Sequence, residues 1–276
     1  MSPASAASAE TVFAANRAEG RLALTVAANA GTTRRSRVAE QGSLRVRFPR
    51  PVGPELEAVL VNTAGGMAGG DRFALDIAAG AGARLVVGTA AAEKVYRSNG
   101  EPTDVSVRLG VGAGATLRWL PQETILFDRA RLNRRIDVDM EEGASLVLAE
   151  AVVFGRSAMG ERVEQGELLD RWRLRLGGRL IFAESVRLAG AIARNLAEPA
   201  AAAGGCAIAT VLLAPGGEPQ VAAVRAQDFS GEVGISTWNG IGVARLVARD
   251  GAALRHDLVR VLAALDCGPL PKLWLN

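Results

Sequence analysis

Three segments of this chain carry one pattern: an alternating apolar run, a small-residue hinge, and a second short apolar run. Phe73, Leu75 and Ile77 lead to Gly82-Ala83 and then to Leu85 and Val87. Val105, Val107 and Leu109 lead to Gly114-Ala115, Leu117 and Trp119, and Ile136, Val138 and Met140 lead to Gly143-Ala144, Leu146 and Leu148. The hinges recur about every thirty residues, a period that marks stacked supersecondary units. Period-two alternation puts successive side chains on opposite faces, so the runs are strands. Their polar partners Asp76, Ser106, Arg108, Asp137 and Asp139 then face water or a neighbouring layer. The pattern predicts an all-β fold, a solenoid-like winding stack of antiparallel-like strand pairs, with the bends as the informative places.

Outside the repeat the reading is less regular. Residues 22–26, 44–48 and 59–61 read as three earlier strands, with an Arg-rich loop around 31–37. Alternation resumes at 172–176, 180–182 and 186–188, and Gly177-Gly178 suits a hairpin turn. The Ala-rich stretch 190–203 suits a helix that Pro199 ends or kinks, and strands are expected at 207–213 and 220–225. The clearest helix spans 251–266. Leu254, Leu258, Val261, Leu262 and Leu265 share one face, Asp250 caps the start, and Gly268-Pro269 stops it. One or two helices are therefore expected beside the strands. No low-complexity linker divides the chain, so residues 21–276 are expected to form a single domain behind a flexible tail, 1–20. That tail lacks a basic n-region and a continuous apolar stretch, unlike a signal peptide.

Composition narrows the function classes. Hydrophobic residues make up 49% of 276, which excludes a disordered chain, and no apolar run is long enough to span a membrane as a helix. Two cysteines far apart, Cys206 and Cys267, suit a reduced, cytoplasmic protein better than a stapled secreted one. The net charge is +3, and lysine occurs only at positions 94 and 272. Arginine favours fixed bidentate contacts with carboxylates, as in protein interfaces, although compositional bias explains its excess equally well. The arginines are dispersed and form no basic helix or aromatic-basic motif, so nucleic acid is not an expected partner.

The loop Asn62-Thr-Ala-Gly-Gly-Met-Ala-Gly-Gly-Asp71 invites a phosphate-cradle reading, because glycines let a backbone approach a phosphate. It lacks the Gly-Lys-Ser/Thr ending of a P-loop and runs into a strand rather than a helix. A tight turn that positions Asp71 is the better reading.

Five blocks in order carry a resemblance: Asn62 to Asp71; Thr89-Ala-Ala-Ala-Glu-Lys94-Val-Tyr96-Arg97-Ser98; Trp119-Leu-Pro121-Gln122-Glu123-Thr-Ile-Leu-Phe127; Glu150-Ala-Val-Val-Phe-Gly155-Arg156-Ser-Ala-Met-Gly160-Glu161; and Leu270-Pro271-Lys-Leu-Trp274. Together they resemble the urease accessory protein family UreD, also called UreH. The resemblance implies an all-β winding of strands with a couple of helices. It also implies a non-enzymatic scaffold and metallochaperone that joins UreF and, through it, the GTPase UreG on the urease apoprotein, and helps deliver nickel. GTP hydrolysis would then belong to the partner GTPase, and the nickel would be transient rather than tightly bound. A hetero-oligomer with UreF follows from the same resemblance, and a passage through the scaffold is the route proposed for nickel in the family.

The chain's own chemistry suits transit better than storage. A tight nickel site would want several imidazoles or thiolates, and the chain has one histidine and two cysteines. His256 falls away from the apolar face of its helix and reads as a surface residue. The carboxylates Asp71, Glu150, Glu161 and Glu184 are the candidate transit residues, because oxygen ligands bind nickel weakly and exchange fast. For each, an ordinary ion pair is the alternative, Glu161 with Arg156 for example. Lys94, Tyr96 and Arg97 form either a partner-binding rim or a structural network. Pro121 should break the ladder and expose Gln122 and Glu123. Trp274, in an apolar tail with Leu270, Leu273 and Leu275, either marks an interface or docks on its own domain.

The competing reading is a β-solenoid carbohydrate-active enzyme. Asp137 and Asp139 lie two apart on a strand and share a face, as a catalytic carboxylate pair would. Only 4% of the residues are aromatic, few for the stacking platforms of a sugar cleft.

Overall fold

The computed structural model describes residues 17–50, 53–156 and 159–274. Most of the tail expected at 1–20, and Leu275, lie outside the described residues. Two stacked sheets share one continuous winding. Each repeat unit places its first run in one sheet and its second in the other. The first sheet contains β1 (Glu19–Asn29), β2 (Thr32–Gly42), β5 (Arg72–Ala79), β8 (Thr103–Val111), β11 (Arg131–Met140), β13 (Gly166–Leu176) and β14 (Arg179–Gly190), in the spatial order β14-β13-β11-β8-β5-β1-β2. The second contains β3 (Leu44–Arg47), β4 (Leu56–Asn62), β6 (Arg84–Thr89), β9 (Thr116–Trp119), β12 (Ser145–Phe154), β15 (Ala207–Ala214), β16 (Glu232–Trp238) and β17 (Ile241–Ala248), in the order β16-β17-β15-β12-β9-β6-β4-β3. Two short strands, β7 (Glu93–Val95) and β10 (Thr124–Leu126), pair with each other, and β10 also pairs with β12.

The β-solenoid-like reading holds, but its pairing needs correction. The two runs of a unit do not pair antiparallel with each other; they cross from one sheet to the other at the hinge. Hydrogen bonds run between successive turns instead, in parallel. Leu75 stands beside Val107 and Val107 beside Ile136 in the first sheet, while Leu85 stands beside Leu117 and Leu117 beside Leu146 in the second. The hinge glycines Gly82, Gly114 and Gly143 take φ of +68°, +65° and +75°, which a Cβ would strain. Ala83, Ala115 and Ala144 follow them and are buried, so little beyond a methyl fits where the chain turns inward.

Three further readings change. From Thr32 on, the Arg-rich stretch 31–37 belongs to β2, which pairs antiparallel with β1; arginines tolerate an edge strand because their heads stay in water. Residues 220–225 are helical, not extended. Pro219 opens α2 (Glu218–Arg225), the Gln220 side chain accepts from the Gly217 N–H at 3.1 Å, and Val221 and Val224 fall on one buried face. With α1 (Ile192–Ala197), which ends before Pro199, and α3 (Gly251–Ala264), the described residues hold three helices rather than one or two. The Asp250 cap is as expected, its carboxylate accepting from Ala253 N–H at 2.8 Å, and His256 is exposed.

Two apolar cores lie back to back. One fills the space between the sheets; the other lies between the outer face of the second sheet and α2, α3 and the C-terminal segment. β12 feeds both, with Leu146, Leu148, Val152 and Phe154 on the inner core and Val147, Ala149, Ala151 and Val153 on the outer one.

Candidate functional site

The alternation that buries Leu132 and Ile136 of β11 also buries Arg134 between them. In β13, Asp170 sits in phase with Leu168 and Trp172, and in β12 Glu150 sits in phase with Leu148 and Val152. Three charged side chains therefore point into an otherwise apolar core, where an unpaired charge would be prohibitive. They meet. Arg134 lies between Glu150 and Asp170 as an ion-paired bridge across the two sheets, with its Nε donating to Asp170 Oδ1 at 3.1 Å. Trp119 Nε1 donates to Glu150 Oε1 at 2.7 Å, and Trp172 Nε1 donates to Asp170 Oδ1 at 3.0 Å.

Burial pushes the Glu150 carboxyl above the usual carboxylate range; Arg134 opposes that shift, and Asp170 adds to it. Burial alone would lower the affinity of Arg134 for its proton, but the two carboxylates outweigh it and hold the guanidinium charged.

This cluster separates two cavities. A cavity of about 80 Å³ lies on one side, lined by Phe73, Leu75, Val105, Trp119, Leu132 and other apolar groups, with Arg134 and Glu150 at its inner wall. Its outer rim is half-buried and polar, made by Asn62, Glu93 and Gln122. A smaller cavity of about 20 Å³ lies on the other side, where Arg134, Glu150 and Asp170 meet Trp172, Val186 and Thr210. Register extends the polar row further. Glu150 stands beside Thr210 and Thr210 beside Arg245, whose guanidinium is ion-paired with Glu184 on the opposing sheet. One Glu184 oxygen, Oε2, is buried and finds no hydrogen-bond partner among the described residues.

The four carboxylates singled out from sequence thus divide. Glu150 lies at the centre of the row and Glu184 at its far end. Asp71 is buried, but its two oxygens accept from the backbone N–H of Ala18 at 2.8 Å and of Ala68 at 2.7 Å, closing the glycine turn. Glu161 pairs with Arg156 at 2.6 Å in a surface loop, and the Arg156 guanidinium covers the Phe127 ring at 4.3 Å. Among the described residues no group of three or more His, Cys, Asp or Glu side chains is gathered to hold a metal ion.

The glycine loop and the block after β6 are one unit. Met67 N–H donates to Lys94 C=O at 2.7 Å, Tyr96 N–H donates to Met67 C=O at 2.8 Å, and the Tyr96 hydroxyl donates to Gly65 C=O at 3.0 Å. Gly66 has φ +143°, and a Cβ there would sit 2.5 Å from the Tyr96 ring. Lys94 and Arg97 are exposed beside it.

The expectation for Glu123 is corrected. β9 does end before Pro121, yet Glu123 is buried, because Arg255 of α3 reaches it with Nε to Oε1 at 2.8 Å and also donates to Gln122 Oε1 at 3.0 Å. Trp274 docks on its own chain, buried, with its indole N–H donating to Leu120 C=O at 2.9 Å. The paired aspartates Asp137 and Asp139 lie on the outer face of the first sheet. Asp137 is ion-paired with Arg135 and stands beside Arg108 and Arg173. That is a ladder of alternating charge.

Sequence reasoning missed Arg134, Asp170, Glu93 and Asn62. For the first two the signal was present: each interrupts the apolar phase of an alternating strand.

The UreD urease accessory protein family model matches residues 18–274. The urease accessory protein UreD of Rhodopseudomonas palustris strain BisA53 is 59% identical over 271 residues, covering 98% of this chain and 94% of that one. The protein of the same name from Bradyrhizobium diazoefficiens is 57% identical over 268 residues, covering 96% and 97%. UreD 3 of a Bradyrhizobium species, strain BTAi1, is 55% identical over 276 residues, covering 99% of both chains. With a match that spans both sheets and all three helices, this chain belongs to the UreD family of urease accessory proteins.

Proposed function

We propose that this chain serves urease maturation as a scaffold without chemistry of its own. In this reading it joins UreF and the GTPase UreG on the urease apoprotein in the cytoplasm and lets nickel pass through its interior. Family membership supports the first part. The second part rests on one observation: a polar row crosses an apolar core, with a cavity on each side of it. A core needs no such row. Replacing a buried ion pair by packed apolar groups is often neutral or stabilising, so its presence calls for a role other than holding the fold.

Oxygen donors along the row hold a hydrated nickel ion only weakly, which suits an ion in motion, and carboxylates spaced along a wall lower the cost of moving it through low dielectric. Arg134 balances the carboxylates while no cation is there. In a reconstituted assembly of this protein, UreF, UreG and urease apoprotein, Glu150→Gln and Glu184→Gln should each slow nickel loading while leaving the assembly intact on size exclusion. Asp71→Asn should act through folding instead, because it replaces one of the two oxygens that accept the Ala18 and Ala68 N–H groups with a donor amide. Loading at the wild-type rate by both Glu variants would refute the interior route and leave the scaffold reading standing.

A further inference from the structure

The two sheets differ in what lies outside them. α2, α3 and the C-terminal segment cover the second. The first has no such cover among the described residues: on β1, β5, β8, β11 and β13 the outward side chains are exposed or half-buried, Asp137 excepted. These strands run parallel, and parallel sheets are ordinarily packed on both faces. Two neighbouring rows of side chains cross the open face. In one, Asp76, Arg108, Asp137 and Arg173 stand side by side in alternating sign and balance one another. In the other, Arg21, Ala74, Ser106, Arg135 and Arg171 stand side by side with no carboxylate among them. Arg135 and Arg171 are in-register neighbours on adjacent strands, about 4.8 Å apart, and like charges so placed repel. Arg135 leans on Asp137 of its own strand, and Arg171 reaches only the neutral Asn133, at 3.0 Å. Between the arginines the short side chains of Ala74 and Ser106 leave a trough of about 360 Å³. Arg21, Arg72, Arg135 and Arg171 wall it against Glu19 and Asp104, and Asp104 already accepts from the Asn133 amide at 2.6 Å.

We propose that this face is a docking surface for a protein partner with clustered carboxylates, one of which seats in the trough between Arg21 and Arg171. A guanidinium presents paired N–H donors that match the two oxygens of a carboxylate. A carboxylate placed there relieves the repulsion between Arg135 and Arg171, a gain made only on binding. A polyanion fits worse. Asp76, Asp104 and Asp139 are interspersed among the arginines and repel a nucleic-acid backbone or an anionic membrane, whereas a protein surface sets its own cations against them. Such a contact presupposes the scaffold reading above and gives it a place and a sign.

The test uses the full-length chain with UreF, UreG and urease apoprotein, and measures assembly across ionic strength. Arg21→Gln combined with Arg171→Gln should weaken association at least about tenfold at low salt and flatten its salt dependence. The same double variant should melt no lower than wild type, because it removes a like-charge contact. Arg179→Gln, exposed at the other end of the sheet, takes away a charge outside the trough and should change nothing. If wild type assembles and the double variant assembles equally well, the docking face is wrong and the scaffold reading stands. Wild type that joins none of the three proteins sinks the scaffold reading and the face with it. Equal loss in Arg179→Gln would reduce the effect to net charge, and a lower melting temperature in the double variant would make it structural; either result overturns the proposal. So would tight binding of a random-sequence DNA duplex that the double variant loses, which would give the face to a polyanion.

Discussion

The two cores of this molecule are built from the same strands and differ in what they bury. The outer core, under α3, is packed from Val147, Val153, Leu254, Leu258, Val261 and their neighbours. Its buried polar groups fasten loops and the C-terminal segment to the sheet: Arg118 is ion-paired with Glu55 and donates to Cys267 C=O at 2.9 Å and Pro269 C=O at 2.7 Å. Asp257, for example, accepts from the N–H groups of Ser230 at 2.9 Å and Gly231 at 2.7 Å. The inner core carries a row of charges from rim to rim. Two cores of one protein share solvent, temperature and chain, so the contrast isolates what folding needs from what it only tolerates. The outer core sets its charges at its margins, where each one ties down a loop or a chain segment. The charges of the inner one are tolerated because Arg134 sits between two carboxylates.

Removing that balance should give the largest effect. Arg134→Met leaves Glu150 and Asp170 buried without their partner and should cost about 3–5 kcal/mol, read from denaturant midpoints. Replacing all three with apolar groups, Arg134→Met with Glu150→Leu and Asp170→Leu, should recover most of that loss while abolishing nickel loading. If the triple variant stays as unstable as the single one, the row is a folding element and the contrast between the cores collapses. In the outer core, Leu258→Ala removes a side chain that is 1% exposed and should cost about 2–5 kcal/mol. Nickel loading per folded molecule should not change. A loss there beyond the loss of folded protein would mean that the two cores are coupled.

A smaller effect carries a sign. Burial raises the Glu93 carboxyl above its ordinary value, and the Asn62 hydrogen bond only partly offsets it. The folded state therefore binds this proton more tightly than the unfolded state does. The resulting stability is fully present below the unfolded pKa and is lost as pH rises through the raised folded value. Glu93→Gln should accordingly melt higher than wild type at pH 7, and the difference should vanish as the pH falls to about 4. Equal melting at both pH values would show that the carboxylate is not held in a costly place. The smallest effect is chemical. Burial raises the Cys267 thiol to about 11, at the edge of the outer core. At pH 8 its alkylation in the folded protein should be roughly a hundredfold slower than that of an ordinary exposed thiol, with the rate recovering in denaturant.

How much of this was legible beforehand differs by residue. The strands of the repeat, the hinge glycines, the Gly177-Gly178 turn and the Asp250 cap each depend on a few neighbouring residues, and they were read correctly. Residues 220–225 misled because two valines and two alanines fit a short strand as well as a helix. The decision came from Pro219 and Gln220 at the start. The 31–37 stretch misled because arginines on an edge strand look like a loop until β1 is seen beside it. Glu150 was singled out through the family blocks, yet its partners Arg134 and Asp170 lie 16 residues before it and 20 after it, on two other strands of the winding.

Alternation by itself determined that these runs are strands, which residues share a face, and that charges fall into an apolar phase on β11, β12 and β13. Those properties follow from backbone geometry and reach only to the next residue but one. Tertiary structure decided the rest. The crossing of each unit between two sheets, with parallel stacking from turn to turn, brought Arg134 between Glu150 and Asp170 and left a cavity on either side. Asp71 and Glu161 instead keep the local roles their spacing suggested, a turn closed on Ala68 N–H and a pair with Arg156, which separates them from Glu150 and Glu184. Whether a buried carboxylate closes a turn, pairs on the surface or lines an internal row depends on what arrives opposite it. For Glu150 and Glu184 that partner comes from another strand of the winding, Arg134 or Arg245, and no local spacing encodes it.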